Sequence, residues 1–141
     1  MQETPKLHIL NINPKLERGK IFPIFIPFAG CPHHCIFCAQ ERQTGTGRQS
    51  VAEAVSKAQI AFPEFLAKTK SALIDIAFYG GTFTAIDEED FSLCLDFFKS
   101  CKELAGEKGI TLLGRCSTRP DALAPDRLQQ LKALGIDLIE L

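Results

Sequence analysis

Three cysteines that lie close together are the first feature of this sequence with the potential for chemistry. Cys31, Cys35 and Cys38 fall within eight residues, in the segment Cys-Pro-His-His-Cys-Ile-Phe-Cys. Thiolates are soft ligands that suit zinc and iron–sulfur clusters. Burial as three small apolar side chains is a poor alternative, because a Pro-His-His loop is not core material. The segment therefore predicts a metal site in which three thiolates leave one coordination position open.

Two kinds of metal centre fit three thiolates on one loop. A structural zinc site usually takes two ligands from each of two separated segments, whereas these ligands share one loop. His33 or His34 could supply a fourth ligand, but both are strained candidates so close to Cys35. A four-iron four-sulfur cluster suits thiolates better, and three of them leave one iron open to a further ligand. The cluster is the favoured interpretation, and structural zinc is the alternative.

The spacing of these cysteines, Cys-x3-Cys-x2-Cys with Phe37 before the last one, resembles the signature of the radical S-adenosylmethionine (radical SAM) enzymes. The resemblance implies that Cys31, Cys35 and Cys38 bind a 4Fe-4S cluster and that Phe37 lies at the cofactor site. It also implies that S-adenosylmethionine (SAM) chelates the open iron. An electron donor would reduce the cluster, and cleavage of SAM would give methionine and a 5'-deoxyadenosyl radical that abstracts hydrogen from a substrate.

A glycine-rich turn, Gly80-Gly81-Thr82-Phe83-Thr84, follows a second apolar run. Taken alone it is a strand-to-helix turn, and it lacks the lysine of a phosphate-binding loop. Beside the cysteine loop it is similar to the second radical SAM motif, which implies that Gly80, Gly81 and Thr82 hold the amino group of SAM. Many family members have Glu where this chain has Thr82. The version found here resembles the branch that includes the catalytic subunit of Elongator and its bacterial relatives, with coproporphyrinogen dehydrogenases nearby.

A third motif, Ser117-Thr-Arg-Pro-Asp121, resembles the Glu-Thr-Arg-Pro-Asp sequence of the Elongator-like branch, with Ser117 in place of its glutamate. The resemblance implies that Arg119 binds the carboxylate of SAM, for which a guanidinium offers two parallel hydrogen bonds. The alternatives are that Arg119 is an ordinary surface arginine and that Asp121 is a turn or capping residue.

Alternating strands and helices must position these motifs. Phe22–Phe28 is predicted to be an edge strand, because Pro23 and Pro27 would both lose donors on the same side. Ser50 begins a capping box for a helix that Pro63 is expected to kink or end. Three further strands are predicted at Leu73–Tyr79, Ile110–Arg119 and Ile136–Leu141. A second helix is predicted to be capped by Asp87 and to carry on one face Phe91, Cys94, Phe97, Phe98, Cys101 and Leu104. A third helix is predicted from Pro125 to Gly135, with Leu128, Leu131 and Leu134 on its apolar face.

This alternation predicts an α/β fold with βαβ units around a parallel sheet. Because ligands of such sheets bind at the carboxyl ends of strands, the three motifs should converge on one site. The resemblance implies a partial (βα) barrel, its first three βα units and the start of a fourth strand, so the chain is expected to be part of a longer core. Residues 1–20 are expected to be an irregular lead-in and residues 21–141 the core domain.

Composition sets limits on partners and compartment. The chain has 141 residues, 45% of them hydrophobic, and a net charge of −1, so the charge balance does not call for nucleic acid or membrane. Apolar runs long enough for a membrane span and a secretion signal are missing, and the bunched cysteines do not suggest a disulfide framework. A cytoplasmic location is expected.

The resemblance suggests tRNA as substrate. The alternative functions are a non-catalytic iron–sulfur or zinc module and an inactive fragment of a coproporphyrinogen dehydrogenase-like enzyme.

Replacing any one of Cys31, Cys35 and Cys38 with Ala should abolish cluster binding, because each supplies one of three thiolates. Anaerobic reconstitution of the unaltered chain should give an oxygen-sensitive brown protein with about four irons per chain. The control variants Cys94→Ala, Cys101→Ala and Cys116→Ala should keep their iron. Stoichiometric zinc uptake without iron would contradict the cluster assignment.

Overall fold

The structure, a computed structural model, describes residues 19–26 and 50–141. The cysteine loop with Phe37, Pro27 and nearly all of the predicted lead-in lie outside these residues. The described elements, in chain order, are β1 Lys20–Phe25, α1 Val51–Lys68, β2 Leu73–Tyr79, α2 Glu88–Glu107, β3 Thr111–Ser117, α3 Pro125–Leu134 and β4 Ile136–Glu140. Short 3-10 turns at Phe83–Ala85 and Pro120–Ala122 follow β2 and β3.

The four strands form one parallel sheet in the order β1-β2-β3-β4, which is also their order along the chain. The predicted α/β fold with a parallel sheet is therefore confirmed. The described strands do not close into a barrel, since β1 and β4 stand at opposite edges of the sheet.

Strand β1 is an edge strand of the described sheet, as its prolines predicted. Its amide at the carboxyl end points toward β2, since Ile26 N donates to Tyr79 O at 2.8 Å. Successive amides along a strand point to opposite sides, so the nitrogen of Pro23, three residues before Ile26, points away from β2 and its missing donor costs no ladder bond. The strand ends at Phe25, three residues before its predicted end.

The core lies between the sheet and its helices. Phe22 of β1 meets Phe62 of α1 edge to face at 5.2 Å between ring centroids, and Phe62 meets Phe97 of α2 at 6.4 Å. Strand β2 is buried from Ile74 to Phe78, on both of its faces, as its continuous apolar run predicted. All three helices contribute to one apolar cluster with the strands.

Helix α1 begins as predicted but does not end at Pro63. The Ser50 hydroxyl accepts from Glu53 N at 3.1 Å, and Glu53 Oε2 accepts from Ser50 N at 3.3 Å, which completes the capping box. The helix then continues through Pro63 to Lys68. Phe62 and Leu66 are buried on either side of the proline, and each buried side chain contributes about 1.5–3 kcal/mol. Together they offset the roughly 3 kcal/mol that an interior proline costs.

Helix α2 follows its predicted pattern except at Leu104. Asp87 Oδ1 accepts from Asp90 N at 2.8 Å, so Asp87 is the N-cap. The other five predicted core positions are buried, but Leu104 is 40% exposed and Ala105 is buried in its place. Ala105 follows Cys101 by four residues and so continues the centre of the buried stripe, whereas Leu104 lies at its margin.

Helix α3 begins at Pro125 and is followed by Gly135, with φ 96°, in the left-handed conformation, as predicted. Its Leu131 is buried, and Leu128 and Leu134 are half-buried. Strand β3 is shorter than predicted, because Thr118 and Arg119 already belong to the following loop. Among the described helices, none has the length and apolar character needed to cross a membrane.

Replacing Gly114 with Ala should destabilise the protein by about 1–3 kcal/mol, the usual cost of overpacking. An added Cβ would lie 2.5 Å from Ile136 Cγ1 and 2.8 Å from Phe98 Cε2, inside the core. The matched control is Gly106→Ala in α2, where an added Cβ has no neighbour within 4 Å. That variant should be more stable by about 0.5–1 kcal/mol, because Ala is the better helix former. Urea unfolding midpoints measure both, and an unaltered midpoint for Gly114→Ala would contradict the packing.

Candidate functional site

Two of the three predicted motifs lie side by side at the carboxyl edge of the sheet. The Gly80-Gly81-Thr82 turn leaves the end of β2, and the segment from Ser117 to Asp121 leaves the end of β3. These strands are neighbours, so both motifs lie at one edge. The predicted convergence of these two is confirmed. Whether Cys31, Cys35 and Cys38 join them stays a prediction, because these residues lie outside the described part of the chain.

The turn after β2 combines an unusual backbone with a firm anchor. Gly80 has φ 93°, a conformation that favours glycine, and Thr82 is buried. Phe83 is fully buried, with its ring stacked on Phe78 at 4.5 Å and tilted against Phe91 at 5.5 Å. The aromatic ring therefore fastens the turn to the core directly after its polar residues.

Arg119 makes a two-pronged ion pair with Asp121. Its Nε donates to Oδ1 at 3.0 Å and its Nη2 to Oδ2 at 2.9 Å. Both side chains are partly exposed, Arg119 by 39% and Asp121 by 67%. Such exposed pairs contribute only about 0–1 kcal/mol. The guanidinium therefore already has the geometry that binds a carboxylate, and its present partner is held weakly.

A pair of buried threonine hydroxyls links the two loops. Thr84 Oγ1 donates to Ala122 O at 2.5 Å and lies 2.5 Å from Thr118 Oγ1. A carbonyl only accepts, so the single proton of Thr84 goes to Ala122 and Thr118 must donate to Thr84. Both threonines are buried.

Arg127 of α3 holds the same turn from another direction. Its Nη1 donates to Thr84 O at 3.1 Å and to Ile86 O at 2.5 Å, and its Nη2 donates to Glu88 at 3.2 Å. The guanidinium carbon lies 4.4 Å from the ring centroid of Phe91. The segment between β2 and α2 is thus fixed by contacts from both the loop after β3 and α3.

A buried ion pair lies on the sheet face opposite the main core. Arg115 Nη2 donates to Asp75 Oδ2, and Nη1 donates to Glu140 Oε1 at 3.4 Å. Burial alone would lower the pKa of Arg115, but the hydrogen bond and charge of Asp75, with Tyr79, raise it above its ordinary value. Arg115 Nε is buried without an acceptor among the described residues. Asp75 therefore compensates a buried cation.

The cysteines within the described residues are core side chains. Cys94, Cys101 and Cys116 are buried free thiols, and burial is the main cause that raises the pKa of each to about 12. They are protonated at neutral pH and are poor metal ligands. Residues 19–26 and 50–141 contain no group of three His, Cys, Asp or Glu side chains that could hold a metal ion.

A scan of protein-family models found none that matches this chain, and a search of curated proteins also found no match.

Sequence reasoning missed three residues that organise this edge: Thr84, Thr118 and Arg127. The two threonines lie inside motifs that were recognised, so their sequence position marked them, but the motifs do not say that the hydroxyls meet. Arg127 had no signal beyond its place in the first turns of α3.

Replacing Asp75 with Ala should cost about 3–5 kcal/mol, because it leaves a buried guanidinium without its nearest anion. The matched control is Glu140→Ala, which removes a partner that is 41% exposed and more distant, and it should cost at most about 1 kcal/mol. Urea denaturation of both variants measures the difference. Equal losses would show that Asp75 is not the essential counter-ion.

Proposed function

We propose that this chain is a radical SAM enzyme core that binds a 4Fe-4S cluster through Cys31, Cys35 and Cys38 and holds SAM at the carboxyl edge of its sheet. The observation that carries the proposal is the pairing of two motifs with neighbouring strands. The Cys-x3-Cys-x2-Cys segment follows β1, and the Gly80-Gly81 turn follows β2, beside it in the sheet. When bound, the reduced cluster supplies the electron that cleaves SAM.

The three thiolates and the path of the chain after β1 fit a 4Fe-4S cluster at this edge. Three thiolates are the ligands that iron–sulfur clusters take from proteins, and three leave one iron open. Ile26 is hydrogen-bonded to Tyr79, next to Gly80. Cys31 follows Ile26 by five residues in the sequence. The chain therefore leaves β1 toward the cysteine segment beside the point where it leaves β2 for the glycine turn.

The strand order supports a partial (βα) barrel rather than a doubly wound sheet. In a doubly wound sheet the order reverses at a switch point and helices cover both faces. Here each strand adds beside the previous one, and the helices join a single core. That is the arrangement of successive βα units in a (βα) barrel. The described part corresponds to three such units and the strand β4.

Each candidate SAM contact has a physical role. Gly80 adopts a positive φ that larger residues rarely adopt, and without a side chain it lets a ligand approach the backbone closely. Gly81 and Thr82 complete the contact with the amino group of SAM. Arg119 would bind the carboxylate in place of Asp121. This exchange costs little, because the present ion pair is exposed and the incoming group has the same shape and charge. Phe37 belongs to the site through the motif alone, and tRNA is the proposed substrate through the resemblance alone.

The test is 5'-deoxyadenosine formation by the reconstituted chain with dithionite as electron donor and SAM as substrate. We expect 5'-deoxyadenosine and methionine in equal amounts, and neither product from Cys35→Ala. Cluster binding with no cleavage and no SAM binding would favour a non-catalytic module or an inactive fragment. Zinc in place of iron would overturn the proposal.

Arg119→Lys should weaken SAM binding by about tenfold or more, since lysine keeps the charge but loses the two-pronged hydrogen bonds. The control is Asp121→Asn, which removes the competing carboxylate and should bind SAM at least as tightly as the unaltered chain. Isothermal titration of the reconstituted proteins measures both. Weaker binding by Asp121→Asn than by Arg119→Lys would contradict the exchange of carboxylates.

A further inference from the structure

The Thr84 hydroxyl is the point where the two loops of the candidate site are joined. It donates to Ala122 O and accepts from Thr118, each at 2.5 Å. Thr118 N in turn donates to Glu140 O at 3.0 Å, which ties this loop to β4. One buried oxygen therefore connects the loop after β2 with the loop after β3 and, through it, with the next strand.

The position of Thr84 relates this link to the candidate SAM contacts. Thr84 follows Thr82 by two residues, and Ala85 N donates back to Thr82 O at 2.9 Å. Its two partners, Thr118 and Ala122, stand on either side of Arg119 in the sequence. The hydroxyl thus joins the loop that carries the contact proposed for the amino group to the loop that carries the contact proposed for the carboxylate.

Arg127 fixes the main chain of the same turn. Its contacts with the carbonyls of Thr84 and Ile86 would be lost in any other position of the turn, and its side chain is only 16% exposed. Within the described residues, Glu88 is the one carboxylate that pairs with the Arg127 guanidinium, and the ring of Phe91 packs against that guanidinium. Arg127 therefore fixes the main-chain carbonyls of the turn, whereas the Thr84 side chain fixes the turn to the loop after β3.

We propose that Thr84, Thr118 and Arg127 form a clamp that sets the separation between the Gly80–Thr82 turn and Arg119, and through it the affinity for the amino acid end of SAM. This inference rests on the proposed function. The three are positioning residues, because the hydroxyls of Thr84 and Thr118 and the guanidinium of Arg127 are bonded to protein groups. A fixed separation matters because SAM presents its amino and carboxylate groups at one carbon. A displacement of about 1 Å is enough to cost a hundredfold in rate at an enzyme site.

Thr84→Val is the central variant, since valine keeps the shape and removes the hydroxyl. We expect SAM affinity to fall by about tenfold, the effect of losing one well-placed interaction, while the iron content stays unaltered. Thr84→Ser restores the hydroxyl and should bind SAM like the unaltered chain. Thr118→Val should reproduce the loss, and the double variant should lose little more than either alone, because both act through one link.

The matched control is Ser71→Ala. Ser71 Oγ donates to Leu73 O at 2.6 Å, a comparable hydroxyl-to-carbonyl bond at the opposite, amino end of β2. Its loss should lower thermal stability without changing SAM affinity. Should Thr84→Val fail to fold, Arg127→Lys tests the same clamp, because lysine keeps the charge but lacks the second nitrogen with which Arg127 bonds to Glu88 while Nη1 bonds to both carbonyls.

Titration of SAM into anaerobically reconstituted proteins, with iron content and thermal unfolding measured on the same samples, decides the matter. Normal affinity in Thr84→Val overturns the clamp and leaves the proposed function intact. Failure of Thr84→Ser to restore affinity, or an equal loss in Ser71→Ala, also overturns it, since the cause is then not the hydroxyl at this edge. Absence of SAM binding by the unaltered chain overturns the proposed function and the clamp with it.

Discussion

The parallel, in-register pairing of β1, β2 and β3 is the constraint on which the candidate site depends. Phe25 lies opposite Tyr79, and Phe78 lies opposite Cys116. Because the carboxyl ends of these parallel strands lie opposite one another, the chain leaves all three at the same edge of the sheet, where the polar motifs begin. Parallel pairing also requires each crossover to return to the amino edge, and helices α1 and α2 span that distance. The loops therefore lie at the carboxyl edge, where a rigid sheet positions them, as is common for loops that carry binding residues.

Features that depend on local backbone chemistry could be predicted from the sequence. Pro23 places β1 at an edge because a missing donor is a local fact, and Ser50 and Gly135 mark helix ends for equally local reasons. Two departures in the helices, the continuation of α1 past Pro63 and the exposure of Leu104, depend on tertiary packing. The helix passes Pro63 because buried residues flank it, and Leu104 is exposed because the centre of the buried stripe passes through Ala105. Neither outcome follows from propensity alone.

The site divides in the same way. Gly80 and Arg119 could be placed at the carboxyl edge because each follows a strand. The meeting of Thr84 with Thr118 could not, since it depends on how two loops cross the space between neighbouring strands. Asp75 interrupts an apolar run visible in the sequence, but its partner depends on register. Asp75 lies opposite Leu113, and Arg115 is its diagonal neighbour, a relation that a shift of one residue would destroy.

The loop after β2 divides its tasks between successive residues, and this division bears on how a ligand could bind there. Phe83 enters the core, and the Thr84 hydroxyl bonds to the neighbouring loop, so the turn before them is held before any ligand arrives. The entropic cost of ordering the turn is then part of folding and does not reduce the affinity for a ligand. Arg119 differs, because its ion pair with Asp121 is exposed and weak. A ligand with both an amino group and a carboxylate would thus meet one fixed contact and one exchangeable contact. Under the proposed function, the fixed turn orients the ligand, and exchange at Arg119 supplies affinity without a large rearrangement.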